Sequence, residues 1–180
     1  KVGVVSGPAM AAVDRFNITI HGIGGHAAYP HIAIDPILIG SQVVNALQSI
    51  TSRSVNPLHA AVVTVASFHG GTAFNIIPPS VELTGTVRTF TKEARATVEK
   101  RMGAIVKQVT AAMGGRAEID YRHENPAVVN DAKLAEFMKE VSADVVGTRN
   151  VVDAEPSMGG EDMAWYQERV PGCYIFVGSG

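Results

Sequence analysis

The sequence predicts an α+β fold in which two helices cover one face of an antiparallel sheet. Three segments alternate apolar and polar residues with the period of two that a half-buried strand requires, and a fourth is rich in Val and Thr. Two further segments place apolar residues at helical spacing. Glycine and proline pairs separate the segments, at Gly70-Gly71, Pro78-Pro79 and Gly114-Gly115.

The first strand is predicted from Arg15 to Gly22, where two sets of side chains point to opposite faces. The apolar set is Phe16, Ile18 and Ile20, and the polar set is Asn17, Thr19 and His21. Asp35 and Pro36 then supply an N-cap and a first-turn proline, which start a helix that reaches about Ser52. Its apolar residues have roughly helical spacing: Leu38, Val43, Leu47 and Ile50.

The second half of the sandwich contains two more strands, a helix and a final strand. Residues 60–69 form the predicted second strand, and residues 81–90 form the third. The clearest amphipathic helix follows, with apolar residues at Val98, Met102, Ile105, Val106, Val109 and Met113. Residues 117–122 alternate again as the fourth strand. This order predicts a ferredoxin-like βαββαβ sandwich.

The second strand follows a crossover connection, and we therefore expect it at an edge of the sheet. It is long and carries no charge from Ala60 to Ser67. An uncovered edge of that kind invites pairing with another chain. The sequence thus predicts a homodimer that is joined edge to edge.

After Asn125-Pro126 the predicted elements no longer belong to the sandwich. A helix is predicted over 131–145, then a short strand near Val151, a glycine-rich loop, a helix from about Glu161 and a last strand over 174–177. We expect residues 1–13 and 127–180 to belong together, with the sandwich of residues 14–126 inserted between them. The start at Lys1 without Met, and the end directly after a strand-like run, lead us to expect a fragment of a longer protein.

The composition of the chain argues against some classes of binding partner. Fifteen Lys and Arg residues against 17 Asp and Glu residues give a net charge of -2, which offers no reason to expect nucleic acid or an anionic membrane as a partner. No apolar run approaches the ~20 residues of a membrane span, and no signal-peptide pattern begins the sequence. Cys173 is the single cysteine, which favours a cytoplasmic location and a packing role.

The segment GIGGHAAYPH, from Gly22 to His31, has two possible functional interpretations. Its letters match a dinucleotide-binding loop, but Pro30 forbids the helix that such a site requires, and we reject this interpretation. His26 and His31 could be metal ligands, yet their spacing fits no helical ligand pair and no further ligand is evident nearby. Surface or capping histidines remain the simpler alternative, although the glycines beside His26 allow a ligand to approach the backbone.

Three other candidates also have simple interpretations. Asn75 lies between a glycine pair and a proline, where asparagine commonly forms turns. Arg88 lies on the polar face of the third strand, where a solvated arginine is ordinary. Glu161 and Asp162 precede a predicted helix, where acidic residues complement the helix dipole.

Taken together, these segments resemble one protein family in order and spacing. The motifs are GIGGHAAYPH, Asp35-Pro36, Ala46-Leu47-Gln48, Ser52-Arg53, GGTAFNIIP, GTVRTF, Asn130-Asp131 and MGGEDM. The family comprises metal-dependent aminoacylases, hippurate hydrolases, auxin-amino-acid-conjugate hydrolases and related carboxypeptidases. The resemblance runs from about Gly7 to Gly180, and its first motif with NIIP and GTVRTF is typical of the hippurate hydrolase branch.

The resemblance implies a dimerisation (lid) domain with flanking pieces of an α/β metallopeptidase catalytic domain. In this family two divalent metal ions, zinc or else manganese, cobalt or nickel, and a glutamate activate the water that attacks the amide of an N-acyl amino acid. By motif position, His26 resembles the lid histidine that enters the partner subunit's site and donates a hydrogen bond to the oxyanion. Asn75 and Arg88 resemble the residues that hold the substrate carboxylate. A loop beside the pocket is implied at Gly159, Gly160 and Glu161.

The family's metal ligands and catalytic glutamate lie outside the motifs found here. The resemblance therefore implies that residues outside this chain bind the metal ions and that the isolated chain is inactive. The implied partners are a second copy, joined through the lid, and a small N-acyl amino acid. We expect His26, Asn75 and Arg88 to converge on one bound amide. A different hypothesis is a non-catalytic ferredoxin-like dimerisation or small-ligand-binding module, which explains the fold but not those three residues.

Overall fold

The computed structural model describes residues 1–178, so the last two residues of the predicted segment 127–180 lie outside the described residues. The chain forms two compact units. The sandwich unit consists of Asp14–Arg88 and Lys92–His123. The flanking unit consists of Lys1–Val13, Thr89–Thr91 and the chain from Glu124 onward. Each unit has its own buried apolar residues.

The described chain contains eleven strands and four α-helices. The strands are β1 (Val2–Val4), β2 (Gly7–Met10), β3 (Ala12–His21), β4 (Gly25–His26), β5 (Ala61–His69), β6 (Ile76–Ile77), β7 (Ser80–Thr89), β8 (Arg116–Asn125), β9 (Val128–Asn130), β10 (Val151–Asp153) and β11 (Phe176–Val177). The α-helices are α1 (Pro36–Ser49), α2 (Lys92–Ala112), α3 (Ala132–Val146) and α4 (Met163–Gln167). A π-helical turn over Ile50–Ser54 continues α1, so the predicted helix to Ser52 changes its hydrogen bonding in the last turn.

The four long strands of the sandwich form one sheet in the order β5-β7-β3-β8. This order and the order of elements along the chain confirm the predicted ferredoxin-like sandwich, with the second long strand at an edge. The central strands β3 and β7 run in opposite directions. At one end the Gly22 amide donates to the Pro79 carbonyl at 2.9 Å, and at the other the Thr86 hydroxyl donates to the Asp14 carbonyl at 2.9 Å.

The core of the sandwich unit lies between the sheet and the helices α1 and α2. The predicted apolar face of β3 is fully buried at Phe16, Ile18 and Ile20. One of the four apolar residues of the predicted helical spacing does not join the core: Leu38 is 52% exposed, and the neighbouring Ile39 is 1% exposed. The reason is the helix register. Asp35 accepts hydrogen bonds from the Ile37 and Leu38 amides, and this cap sets which side chains of the first turn face the sheet.

The flanking unit contains two small sheets. Strand β1 pairs in parallel with β10 and antiparallel with β11, and β2 pairs antiparallel with β9. The buried Asn130 links three segments, because its amide donates to the carbonyls of Val5 and Tyr174 while its oxygen accepts from the Tyr174 and Gln167 nitrogens. Such a fully bonded polar group holds a small unit in one arrangement.

Two elements of the flanking unit are shorter than expected. The helix predicted from about Glu161 is the five-residue α4, and the last strand contains only two residues. Cys173 is half-buried beside the apolar cluster of Val2 and Val4, and burial raises the pKa of its thiol above the usual value. Among residues 1–178 we find no helix with the length and apolar character that crossing a membrane requires.

The sequence patterns did not identify a buried polar cluster at the start of β3. Asp14 is 1% exposed and lies on the apolar face of the strand. The Arg95 Nε donates to both carboxylate oxygens at 2.9 and 3.1 Å, and the Tyr121 hydroxyl donates at 2.8 Å. Burial, and then the hydrogen bond to Asp14, raise the pKa of Tyr121 above its usual value. The cluster joins β3, α2 and β8.

We predict that Asp14→Ala lowers the free energy of unfolding by about 3 kcal/mol, because it removes the buried carboxylate that binds the largely buried guanidinium of Arg95. Tyr121→Phe should lower it by roughly 1–2 kcal/mol, since it removes one hydrogen bond to a charged group. Urea titration followed by circular dichroism measures both values. Tyr166→Phe alters an exposed tyrosine and is the control. Wild-type stability in Asp14→Ala would contradict the structural role of the cluster.

Candidate functional site

Strands β4 and β6 bring two of the predicted site residues together at one end of the sheet. They pair antiparallel, with Gly25 opposite Ile77 and His26 opposite Ile76. The Ala27 amide also donates to the Asn75 carbonyl at 2.9 Å. The loop that follows β3 and the loop that precedes β7 therefore hold His26 and Asn75 as near neighbours.

The GIGG segment allows this close approach. The Gly22 amide bonds to Pro79, and a Cβ at position 22 would overlap the carbonyl oxygen of Ile34. Ile23 and Ile34 exchange two backbone hydrogen bonds at 2.9 and 3.0 Å, which closes the loop. Glycine is needed where the two backbones come this close.

The imidazole of His26 is exposed, and its orientation is set by its own loop. The Ala28 amide donates to Nδ1 at 3.1 Å. In the neutral ring, Nδ1 is then the acceptor and Nε2 carries the hydrogen. The loop thus presents an N–H donor to the outside of the sandwich unit.

His31 does not join His26 in a metal site. Tyr29 lies between the two rings, with ring-centre distances of 5.7 Å to His26 and 6.4 Å to His31. Across residues 1–178, no group of three or more His, Cys, Asp or Glu side chains is arranged to hold a metal ion.

The carboxamide of Asn75 makes no hydrogen bond within residues 1–178, although its backbone lies in the turn that leads into β6. A purely turn-forming asparagine would bond its own loop. Its neighbours are unusually exposed for apolar residues: Phe74 is 101% exposed and Ile76 is 48% exposed. Exposed apolar side chains beside an unpaired carboxamide are typical of a surface that binds a ligand or another protein.

Arg88 lies at the opposite end of β7 from this pair. It follows Pro79 by nine residues, which corresponds to about 30 Å of extended strand at the usual rise per residue. Its Nη1 donates to the Thr86 hydroxyl and to the Val87 carbonyl, so the half-buried guanidinium folds back along its own strand. Within one chain, Arg88 therefore does not converge with His26 and Asn75.

The loop of Gly159, Gly160 and Glu161 belongs to the flanking unit. The Ala11 amide is shared between the carbonyls of Ser157 and Gly159, both at 3.0 Å. A Cβ at Gly160 would overlap the Val13 side chain, so this position requires glycine. Asp162 does not cap α4; its carboxylate accepts from the Asn125 amide at 3.0 Å. Asp162 nevertheless lies at the N-cap position of α4, next to the helix N-terminus where the sequence pattern predicts acidic residues.

The sequence patterns also missed Tyr29 as a candidate. Its ring contacts the His26 ring while remaining 57% exposed. The available signal was its position between the two histidines of GHAAYPH. Periodicity could not detect it, since a loop has no repeating face.

Comparisons with known proteins agree on one family. The pattern of the M20 peptidase dimerisation domain matches residues 13–113. The chain is 42% identical over 178 residues to an N-acetyl-L-cysteine deacetylase of Bacillus subtilis, covering 99% of this chain and 42% of that protein. It is 42% identical over 182 residues to IAA-amino acid hydrolase ILR1-like 4 of Arabidopsis thaliana, covering 99% and 41%. The chain thus spans less than half the length of these relatives.

A solved structure supports the same grouping. The YXEP protein of Bacillus subtilis, described as a dinuclear metal binding peptidase from the M20 family, superposes with a TM-score of 0.78 at 37% identity. The match covers 97% of this chain and 42% of that one. The similarity includes both the sandwich unit and the flanking unit.

We predict that neutral His26 is the tautomer with its hydrogen on Nε2, because Nδ1 accepts the Ala28 amide. Two-dimensional ¹H–¹⁵N spectra that correlate ring nitrogens with ring protons should show the chemical-shift pattern of this tautomer. The exposed His69, for which no ring hydrogen bond is present in the described chain, should show an ordinary tautomer mixture. A hydrogen on Nδ1 of His26 would contradict the prediction.

Proposed function

The chain belongs to the M20 family of peptidases and amidohydrolases, and we propose that it forms the lid and part of the catalytic domain of an enzyme that hydrolyses N-acyl amino acids. The observation that carries this proposal is the short β4–β6 ladder, which holds His26 and Asn75 as near neighbours and leaves Nε2 and the carboxamide free at one exposed end of the sheet. The names of two relatives support it, since an N-acetyl-L-cysteine deacetylase and an IAA-amino acid hydrolase both act on acylated amino acids.

His26 is proposed to stabilise the tetrahedral intermediate of amide hydrolysis. Attack on the carbonyl carbon moves negative charge onto the carbonyl oxygen, and a fixed N–H donor stabilises that charge more than it stabilises the neutral carbonyl. The bond from Ala28 to Nδ1 keeps the donor on Nε2 without requiring the ring to be charged. The imidazole thereby acts as a preset donor.

Arg88 is proposed to bind the α-carboxylate of the substrate, together with the Asn75 carboxamide. A guanidinium can donate two parallel hydrogen bonds to a carboxylate. An N-acyl amino acid is only about 10 Å long, however, and the strand places Arg88 about 30 Å from the His26 pair. One active site must then receive His26 and Asn75 from one subunit and Arg88 from the other.

The flanking unit is proposed to be part of the catalytic domain, with its boundaries at residues 1–13 and 127–180. There the loop of Gly159, Gly160 and Glu161 would lie beside the substrate. In this proposal residues outside this chain bind the two divalent metal ions, and the isolated chain is inactive. The single cysteine is the reason to propose a cytoplasmic enzyme.

The dimer is proposed to form through β5. The two edges of the sheet differ in charge, because β8 carries exposed Arg116, Glu118, Asp120 and Arg122 whereas β5 exposes Thr64 and Ala66. Charged side chains protect an edge strand against pairing, and uncharged ones permit it. Further apolar side chains are exposed at the end of the sheet near His26: Ile23, Ile37, Leu38, Phe68, Phe74 and Ile76.

In the full-length enzyme, His26→Ala should lower turnover roughly 10²–10³-fold, the usual effect of losing one oxyanion donor. Arg88→Ala should lower kcat/KM roughly ten- to hundredfold for substrates with a free carboxylate, through lost charge-assisted hydrogen bonds. Mixing the two variants should restore about a quarter of wild-type activity, since half of the dimers then contain one site with both residues intact. Steady-state rates after subunit exchange measure the rescue.

The control is a mixture of His26→Ala with Asn75→Ala. In this proposal both residues of a site come from the same subunit, so each site in the mixed dimer lacks one of the two. No intact site forms, and no activity should be restored. Absence of rescue in the His26→Ala and Arg88→Ala mixture would instead assign all three residues to one chain. Near-normal turnover of His26→Ala would remove the histidine from the mechanism.

We also predict that Thr64→Lys combined with Ala66→Lys converts the dimer to a monomer, because lysines on both copies of the edge repel each other across the two-fold axis. Size-exclusion chromatography with light scattering measures the mass. Ile119→Lys places a lysine at an exposed position of β8 and should leave the dimer intact. A dimer mass for the β5 variant, with loss of the dimer in Ile119→Lys, would assign the interface to β8.

A further inference from the structure

Three aromatic rings form a short row at the exposed end of the sandwich unit. The Tyr29 ring lies 5.7 Å from the His26 ring at an interplanar angle of 51°, and 6.4 Å from the His31 ring at 80°. Both distances fall within the range in which aromatic side chains interact favourably. Tyr29 is therefore held between the two histidines.

The backbone also fixes Tyr29. Its amide donates to the His26 carbonyl at 2.9 Å, and its own carbonyl accepts from the Ile32 amide at 3.3 Å. Pro30 follows directly and restricts the backbone before the turn of Pro30–Ile32. A side chain on such a constrained loop keeps its position relative to His26.

Despite this fixed position, most of the ring faces outward. Tyr29 is 57% exposed, and its hydroxyl has no hydrogen-bond partner within the described residues. An aromatic ring that is fixed in position but exposed offers a large apolar contact area at little cost in conformational entropy. The exposed ring is available for contact with a ligand that reaches His26.

We propose that Tyr29 forms one wall of the site for the substrate's acyl group and selects flat, apolar acyl groups. The inference rests on the proposed role of His26 at the reacting carbonyl. That carbonyl is part of the acyl group, whose substituent is one bond from the carbon that bears the oxyanion. The side chain of the amino acid is separated from the same carbon by the amide nitrogen and the α-carbon. The acyl substituent is thus the part of the substrate closest to His26.

The aromatic ring of Tyr29 determines which acyl groups gain a favourable contact. The substrate's carbonyl oxygen would accept a hydrogen bond from Nε2 of His26 at about 2.9 Å. Because the Tyr29 ring is next to the His26 ring, the acyl substituent would then lie within a side-chain length of Tyr29. A benzoyl or arylacetyl group can stack on the ring or meet its edge, whereas an acetyl group offers one methyl. The ring therefore favours aromatic acyl groups at the step that forms the tetrahedral intermediate.

The test compares N-benzoylglycine with N-acetylglycine in the full-length enzyme. Tyr29→Ala should lower kcat/KM about tenfold for the benzoyl substrate and change it little for the acetyl substrate, because only the benzoyl group loses an aromatic contact. Tyr29→Phe keeps the ring and should retain the wild-type ratio. Ile32→Ala removes another exposed apolar side chain from the same turn and should also retain it.

Each other result overturns the proposal. An unchanged ratio in Tyr29→Ala means that the ring does not contact the acyl group. Equal losses for both substrates mean that Tyr29 only positions His26, and conversion to a monomer means that it is an interface residue. The proposed function fails differently: His26→Ala would then retain turnover on both substrates, whatever the ratio in Tyr29→Ala.

Discussion

The antiparallel pairing of the two central strands, β3 and β7, is the constraint on which the rest of the site depends. It brings the loop after β3 and the loop before β7 to the same end of the sheet, where the short β4–β6 ladder joins them. It also places the beginning of β3 beside the end of β7. His26 and Asn75 share one end for this reason, and Arg88 lies at the other. The proposed dimer is the simplest arrangement that would unite the three on one ligand.

Charge distinguishes the surfaces of the sandwich unit. The buried carboxylate of Asp14 ties β3 to α2 and β8, so the one charge on the apolar face is fully bonded. Charges on the opposite edge lie on β8, where Arg116 pairs with Glu118 and lowers the pKa of that carboxyl. The uncharged β5 and the exposed apolar residues near His26 remain as the surface suited to a second copy.

The relatives clarify why a chain of this length carries such residues. It covers less than half of each similar protein, and it matches the dimerisation domain of the M20 family. In the proposed function, the His26 donor, the Asn75 amide and the Arg88 guanidinium complete a site whose other groups lie outside this chain. The position in which the loop from Gly22 to Ile34 holds the His26 donor is then important for the proposed catalysis, because a misplaced donor does not stabilise a transition state.

The fold could be read from the sequence because its signals are local. Alternation along β3 and β7, helical spacing along α2 and the cap at Asp35 each depend on a few neighbouring residues. Only the tertiary structure decided the rest. It buried Ile39 instead of Leu38, satisfied Asp14 with Arg95 and Tyr121 from distant segments, and separated Arg88 from His26. These outcomes depend on strand direction, helix register and long-range partners, which no local pattern encodes.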